Sequence, residues 1–344
     1  MKELSERQKL ILSLVIHEYT RKAAPVGSKS LVSEYGLDIS SATIRNEMSV
    51  LTDLGYLRQP HTSAGRTPTE IGFRYFVEKL IHKSELPDNT RHMISHQFYQ
   101  ANQDIDVWMR LAASILAFQS QAASIVTAPH SENANLKHVE LISTRGRQVL
   151  MVLVLVGGEI HQRIVTVDEL VDQPFLSTCA NHVNNAFHGM DVSWIKSKRH
   201  EFSGFEAEVI DWIINEMDQS DSFAAGEIFL DGMTNVLAEP EFSESEDARR
   251  ALRVLEEGSL LQDLLSRTIL TGKVGGIQVL IGGEGTWDDL SQCSIVLARY
   301  GAPGMATGTI GVLGPMRMSY AHTISTVSFM SGLLSDLISE LLVE

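Results

Sequence analysis

Between Ser40 and Thr52 the chain carries side chains suited to hydrogen bonding with a flat polar surface. Ala42, Thr43, Arg45, Asn46 and Ser49 lie away from Ile44, Met48 and Leu51, which fall at the i, i+4, i+7 spacing of a buried helical stripe. A plain solvated face carries more Lys and Glu; this one has small, uncharged groups at its centre and an Arg at its edge. Such a face suits a helix lying against base edges. Arg bonds guanine in bidentate fashion, Asn does the same with adenine, and an Ala methyl touches the methyl of thymine. A second set is placed to hold phosphates, which set register without reading sequence: Ser28, Lys29, Ser41, Arg58, His61 and Arg66. Ser28 and Lys29 open a helix, where free amides and a cation favour a phosphate; Ser28 is equally suited to simple capping.

The elements that must position these residues follow from spacing and breakers. Residues 5–20 read as a helix with Leu10, Ile11, Leu14 and Val15 on one face. Pro25 disfavours helix at Ala24. A short helix runs from Ser28 to Tyr35, Gly36 closes it, and Leu37-Asp38-Ile39 is the turn before the next helix. Ser40 or Ser41 caps that helix. Leu57-Arg58-Gln59, a turn at Thr62-Ser63-Ala64-Gly65 and the return Arg66-Thr67 form a two-stranded wing, with Pro68 confined to a strand edge or end. Two helices across a short Gly-containing turn form a helix-turn-helix, and the wing completes a winged one. Thr69 caps a further helix bearing Phe73, Phe76, Val77 and Leu80. Arg74 lies off that stripe, where a phosphate contact and a plain surface Arg both fit. Leu86-Pro87-Asp88 ends this head near residue 86.

The stretches P-V-G-S-K (Pro25 to Lys29), S-S-A-T-I-R-N-E-M (Ser40 to Met48) and G-Y-L-R-Q-P-H-T-S-A-G-R-T-P-T (Gly55 to Thr69) resemble the HrcA family, the heat-inducible transcription repressors of bacteria. The likeness extends through I-G-G-E (Ile281 to Glu284), Tyr300 and G-V-L-G-P-M-R-M-S-Y (Gly311 to Tyr320). It implies an α+β chain: a winged helix-turn-helix over 1–86, a GAF-like domain over 87–167 and 227–344, and an inserted dimerisation domain over 168–226. It further implies a homodimer on double-stranded DNA at an inverted-repeat operator, CIRCE, upstream of chaperone operons, with a GroEL-type chaperonin maintaining the active form.

Periodicity by itself shows only an α+β body. Residues 89–126 read as helical, with Trp108, Leu111, Ile115, Phe118 and Ala122 in a stripe. Strands follow at 138–143, 148–156 and 159–165, with Gly157-Gly158 as a hairpin turn. Helices are expected at about 174–187, 204–218, 227–237, 246–256 and 259–268. Strands return at 276–281, 293–300 and 309–313 before a final helix from Tyr320.

Net charge is −15 over 344 residues, unevenly spread. Residues 1–83 hold 12 Lys+Arg against 9 Asp+Glu, a net of +3, and the remainder carries −18. A mildly basic head on an acidic body is compatible with DNA docking by the head alone. No apolar run approaches the ~20 residues of a membrane span. The charged start M-K-E-L-S-E-R-Q-K lacks a signal-peptide core. Two distant cysteines, Cys179 and Cys293, fit a reduced cytoplasmic protein without a zinc site. No cofactor, metal or membrane partner is expected. Cys179 and His182 share a helical face, and Asp288-Asp289 is an acidic pair; neither has the motif context of a catalytic or metal site. Gly275-Gly276 and Gly282 to Gly285 lack phosphate-loop spacing and read as turns. Gly314 to Arg317 reads as a turn, with a small-metabolite pocket near Arg317 as the alternative, which would make the chain a ligand-sensing regulator.

Overall fold

Ser5 starts the chain's first helix by a reciprocal cap: its hydroxyl accepts from the Gln8 amide, and the Gln8 side chain accepts from the Ser5 amide, satisfying two orphan donors at once. A computed structural model describes residues 3–62, 64–81, 85–101, 104–131, 135–156, 158, 160–222, 227–242, 261, 265, 274–282 and 290–343. The helices expected at 246–256 and 259–268 lie almost wholly outside the described residues, as do Ser63, Gly157 and Gly283 through Asp289. The chain divides into two compact units.

The first unit comprises residues 1–126, 228–299 and 309–333. Its N-terminal part holds α1 (Glu6–Lys22), α2 (Ser28–Tyr35) and α3 (Ser41–Asp53). An antiparallel hairpin follows, β1 (Leu57–Arg58) and β2 (Thr67–Pro68), pairing Leu57 with Pro68 and Arg58 with Thr67. Helices α1 and α2 both pack on α3, burying Ile11, Leu12, Val15, Ile16, Leu31, Ile44, Met48 and Leu51. The buried stripe of α1 is thus rotated from the expected one: Leu10 is exposed, and Leu12 and Ile16 face inward. The rotation also brings Glu18 inside. Its carboxylate is 2% exposed and accepts from Arg21 at 3.0 Å, from Lys22, and from the Tyr35 hydroxyl at 3.2 Å. Burial pushes the Glu18 carboxyl up, but the bonds from Lys22 and Arg21 outweigh it and hold it at about 2. Glu34 of α2 closes the cluster by pairing with the same two cations.

Thr69 caps α4 (Glu70–Tyr75), which continues as a π-helical turn over Phe76–Leu80. Then come α5 (Asp88–Gln100) and α6 (Ile105–Ser120). The helix expected to reach residue 126 ends early. Gln121 adopts the left-handed conformation at φ 52°, and Ala123–Thr127 becomes strand β3, all five residues buried. Its Ser-Ile-Val-Thr run suits a strand buried on both faces. Strand β4 is His130–Ser131. Likewise Ile228–Asp231, expected as helix, is strand β8, and only Met233–Ala238 is helical (α10). The sheet runs β8-β3-β11-β10-β9, with β9 at Ile277–Ile281, β10 at Cys293–Ala302 and β11 at Ala306–Pro315. Helix α11 (Tyr320–Val343) is tied to it by Tyr320 Oη to Ser294 Oγ at 2.7 Å and by the Ser331 hydroxyl to the Arg299 carbonyl at 2.8 Å.

The second unit comprises residues 127–227, 300–308 and 334–344. Strands β5 (Leu136–Ser143), β6 (Gln148–Leu155) and β7 (Ile160–Thr166) form an antiparallel sheet in that order. Helices α7 (Gln173–Phe187), α8 (Val192–Lys198) and α9 (Gly204–Ser222) accompany it. Val139, Leu141, Met151 and Leu153 share one core with Leu176, Val183, Ile210 and Ile213. The sheet therefore packs with α7 to α9, whereas the boundary expected at residue 168 separates them. Alternation along each strand sends one apolar set into that core, and the second set lies on the opposite face.

The Glu18 cluster yields a pH-dependent expectation. Its carboxyl is depressed in the folded chain, so its contribution is present above the ordinary Glu value near 4.5 and is lost as pH falls towards about 2. Glu18→Gln should lower unfolding free energy at pH 7 by about 1–3 kcal/mol. Denaturant titrations should show the difference from the parent shrinking between pH 4.5 and pH 2.

Candidate nucleic-acid interface

Ser40 caps α3, its hydroxyl accepting from the Thr43 amide at 3.1 Å. Ile44, Met48 and Leu51 anchor one side of the helix and leave Ala42, Arg45, Asn46 and Ser49 exposed on the other. Thr43 is half-buried, and its hydroxyl lies 2.9 Å from that of Ser40, within the cap. Ser41 is half-buried at the helix start. Glu47, at the margin of the face, is held by Arg7 and by the Gln8 side chain of α1.

Helix α2 and the hairpin flank this face. Val26, just before α2, exchanges two backbone hydrogen bonds with Arg66, both 2.9 Å. Gly65 makes the approach possible, because a Cβ there would lie 2.3 Å from the Val26 carbonyl oxygen. Gly72 plays the same part for α4: a Cβ would stand 2.2 Å from the Tyr56 carbonyl oxygen. Thr69 locks this junction, its hydroxyl donating to the Gly55 carbonyl at 2.6 Å while it caps α4. Much of G-Y-L-…-S-A-G-R-T-P-T is thus scaffold.

A concavity of about 410 Å³ opens between α2, α3 and the hairpin, lined by Ser28, Arg45, Met48, Gln59, Thr62 and Arg66 among others. Three of the expected site residues, Ser28, Arg45 and Arg66, are brought together here. Ser28 is 7% exposed at the first position of α2, so it is largely covered at the edge of the concavity. Arg66 is half-buried and oriented by its Nε donating to the Thr52 hydroxyl at 2.9 Å. Lys29, Arg58 and His61 are exposed but do not line the concavity; Arg58 Nε contacts the Thr67 hydroxyl at 3.3 Å across the hairpin.

Spacing alone does not find three further residues. Gln59 closes the hairpin tip by donating to the Thr62 and Ala64 carbonyls at 2.9 and 3.1 Å. Thr52 orients Arg66. Val50 is an exposed apolar side chain one turn beyond Asn46, 41% accessible, and its place off the Ile44, Met48, Leu51 stripe is the available signal.

Other constellations behave as packing or pairing. Cys179 is buried, and burial together with nearby Glu206 pushes its thiol up to about 11; His182 bonds Glu206 at 2.8 Å. Arg317 is engaged by Glu239, Glu241 and the Thr20 carbonyl, so its cation does not stand free for an anionic metabolite. No cluster of His, Cys, Asp and Glu that could hold a metal occurs among the described residues. No helix among them is long and apolar enough to cross a membrane.

The fold and this face define an α+β chain whose relatives are transcription repressors. Residues 106–324 match the family model described as HrcA protein C terminal domain. The heat-inducible transcription repressor HrcA of Roseiflexus castenholzii is 41% identical over 98% of this chain and 96% of its own length. Its counterpart in Herpetosiphon aurantiacus is 39% identical over 98% and 96%. A solved structure described as a hypothetical protein is 22% identical, with a TM-score of 0.63 over 98% of this chain and 99% of its own, and shares the fold. The chain belongs to the HrcA family.

Gly65→Ala should force the hairpin away from Val26 and cost roughly 1–3 kcal/mol. Thermal unfolding should report the loss, and the backbone amide of Val26 should exchange faster with deuterium than in the parent.

Proposed function

We propose that the chain is a homodimeric, heat-inducible transcription repressor whose residues 1–86 form a winged helix-turn-helix that reads an inverted-repeat operator. The single observation that carries the reading is the exposed face of α3, with Ala42, Arg45, Asn46 and Ser49 turned outward and uncovered beside a concavity that Arg66 also lines. Helix α3 enters the major groove as the recognition helix, and the hairpin serves as the wing. Ala42, Arg45, Asn46 and Ser49 contact base edges, joined by Val50 against a thymine methyl. Lys29, Arg58, His61, Arg66, and the helix starts at Ser28 and Ser41 bind phosphates.

Two-fold operator symmetry calls for two-fold protein symmetry. The second unit supports a dimer there. Ile142, Leu150 and Ile164 stand in register across its three strands, with Val154 beside Ile160, on the face that the helices leave open. Ile160 and Ile164 are 58% and 62% exposed. A second copy covering this face would bury the row against itself in an isologous contact. Family likeness supports the finer statements: the remaining body is GAF-like, the operator is CIRCE, the protein is cytoplasmic, and a GroEL-type chaperonin maintains the active form, so that heat draws the chaperonin away and derepresses.

The proposal is tested by titrating the full chain onto an inverted-repeat operator with and without chaperonin. Binding strengthened by chaperonin is expected; binding no tighter than to scrambled DNA in both conditions would refute it. Single substitutions then separate the roles. Arg45→Ala or Asn46→Ala should cost ~1–3 kcal/mol on the operator and relax base preference. Lys29→Ala or Arg58→Ala should weaken operator and random DNA about equally, and should reduce the salt slope by ~0.9 for each phosphate no longer neutralised.

A further inference from the structure

Arg317 sits in the turn between β11 and α11, almost at the end of the chain, yet it bonds to the first helix. Its side chain is 12% exposed. The guanidinium donates through Nε and Nη2 to Glu241, through Nη2 to Glu239, and through Nη1 to the Thr20 carbonyl at 3.2 Å. Thr20 belongs to the last turn of α1, where carbonyls lack intrahelical donors and the helix dipole is negative. A cation fixed there by two carboxylates is favourably placed. The adjoining residue, Tyr19, faces Phe73 of α4 at 6.3 Å between ring centroids, and Phe73 faces Tyr320 at 6.0 Å. Tyr320 is buried and anchored, its hydroxyl donating to the Met316 carbonyl at 2.7 Å. Of two consecutive residues of α1, Thr20 is therefore held by the β11–α11 turn itself, whereas Tyr19 reaches Tyr320 through Phe73 of α4, and α1 packs directly on α3.

We propose that Arg317 is a positioning residue for DNA recognition: by holding the Thr20 carbonyl it fixes α1, and with it the reading face of α3, against the sheet-bearing part of the same compact unit. The inference rests on the DNA-binding function proposed above. A dimer places two reading faces on two half-sites at once, and the gain from that linkage depends on geometry that permits simultaneous docking. Arg is required because its planar fork serves both carboxylates and the carbonyl together, whereas Lys offers a point charge.

Two readouts in the full chain test this. Spin labels at Glu6→Cys and Ser328→Cys, in chain diluted with unlabelled protein, report the distance between α1 and α11 without DNA. Arg317→Lys and Glu241→Gln should each broaden that distribution, while circular dichroism stays that of the parent. The same two variants should bind an inverted repeat about 10-fold more weakly and a single half-site within twofold of the parent. An unchanged distance distribution in both variants would overturn the proposal, as would equal losses on operator and half-site. Failure of the parent chain to bind either DNA, alongside a broadened distribution, would overturn the DNA-recognition role while leaving the tether to α1 standing.

Discussion

The candidate interface depends on one close backbone contact. Val26 and Arg66 exchange two hydrogen bonds only because Gly65 presents no Cβ to the Val26 carbonyl. That contact binds the hairpin to the start of α2, and the packing of α2 on α3 then carries the constraint to the outward face of α3. Arg66 inherits its position from the same bond, and the Thr52 hydroxyl fixes its guanidinium from α3. With the contact in place, groups from three elements converge on one concavity. Without it the hairpin has only two short strands of its own, too few for independent stability.

Electrostatics sharpen the picture more than net charge does. The +3 of residues 1–83 does not say which cations DNA can use, because several there are committed. Arg21 and Lys22 serve Glu18 and Glu34, Lys9 pairs with Glu6, and Arg74 pairs with Glu70. Lys29, Arg45 and Arg58 have no carboxylate partner among the described residues, and all three are exposed around the interface. The internal clusters hold α1 to α2, and the outward cations are left without a carboxylate partner among the described residues. The acidic remainder of the chain opposes DNA only over the ~8–10 Å that salt leaves unscreened.

Local rules with a strong physical basis are legible in the sequence. Ser40 and Thr69 cap where hydroxyls precede amphipathic runs, Gly36 and Pro25 punctuate as expected, and the Ile44, Met48, Leu51 stripe is buried. What escapes depends on partners remote in the chain. The phase of α1 differs from the expected one because the buried Glu18 is acceptable only with Arg21, Lys22 and Tyr35 around it. Residues 123–126 and Ile228–Asp231 read as helix because a short apolar run does not reveal whether sheet neighbours await it. The sheet of β5 to β7 reads as separate from α7 to α9 because strand periodicity shows that a face is apolar, not which helices cover it. Within the site, the outward residues of α3 follow from spacing, whereas Gln59 and Thr52 act through carbonyls and a guanidinium that only the folded hairpin brings near.

The central claim is that DNA lies against the outward face of α3. Photo-cross-linking measures this directly. A benzophenone attached at Ser49→Cys in the full chain, irradiated with an inverted-repeat duplex, should form a covalent protein–DNA adduct that maps to bases within the half-site. The same group at Phe118→Cys, an exposed position on α6, should give none. Adducts from position 118 without adducts from position 49 would contradict the account.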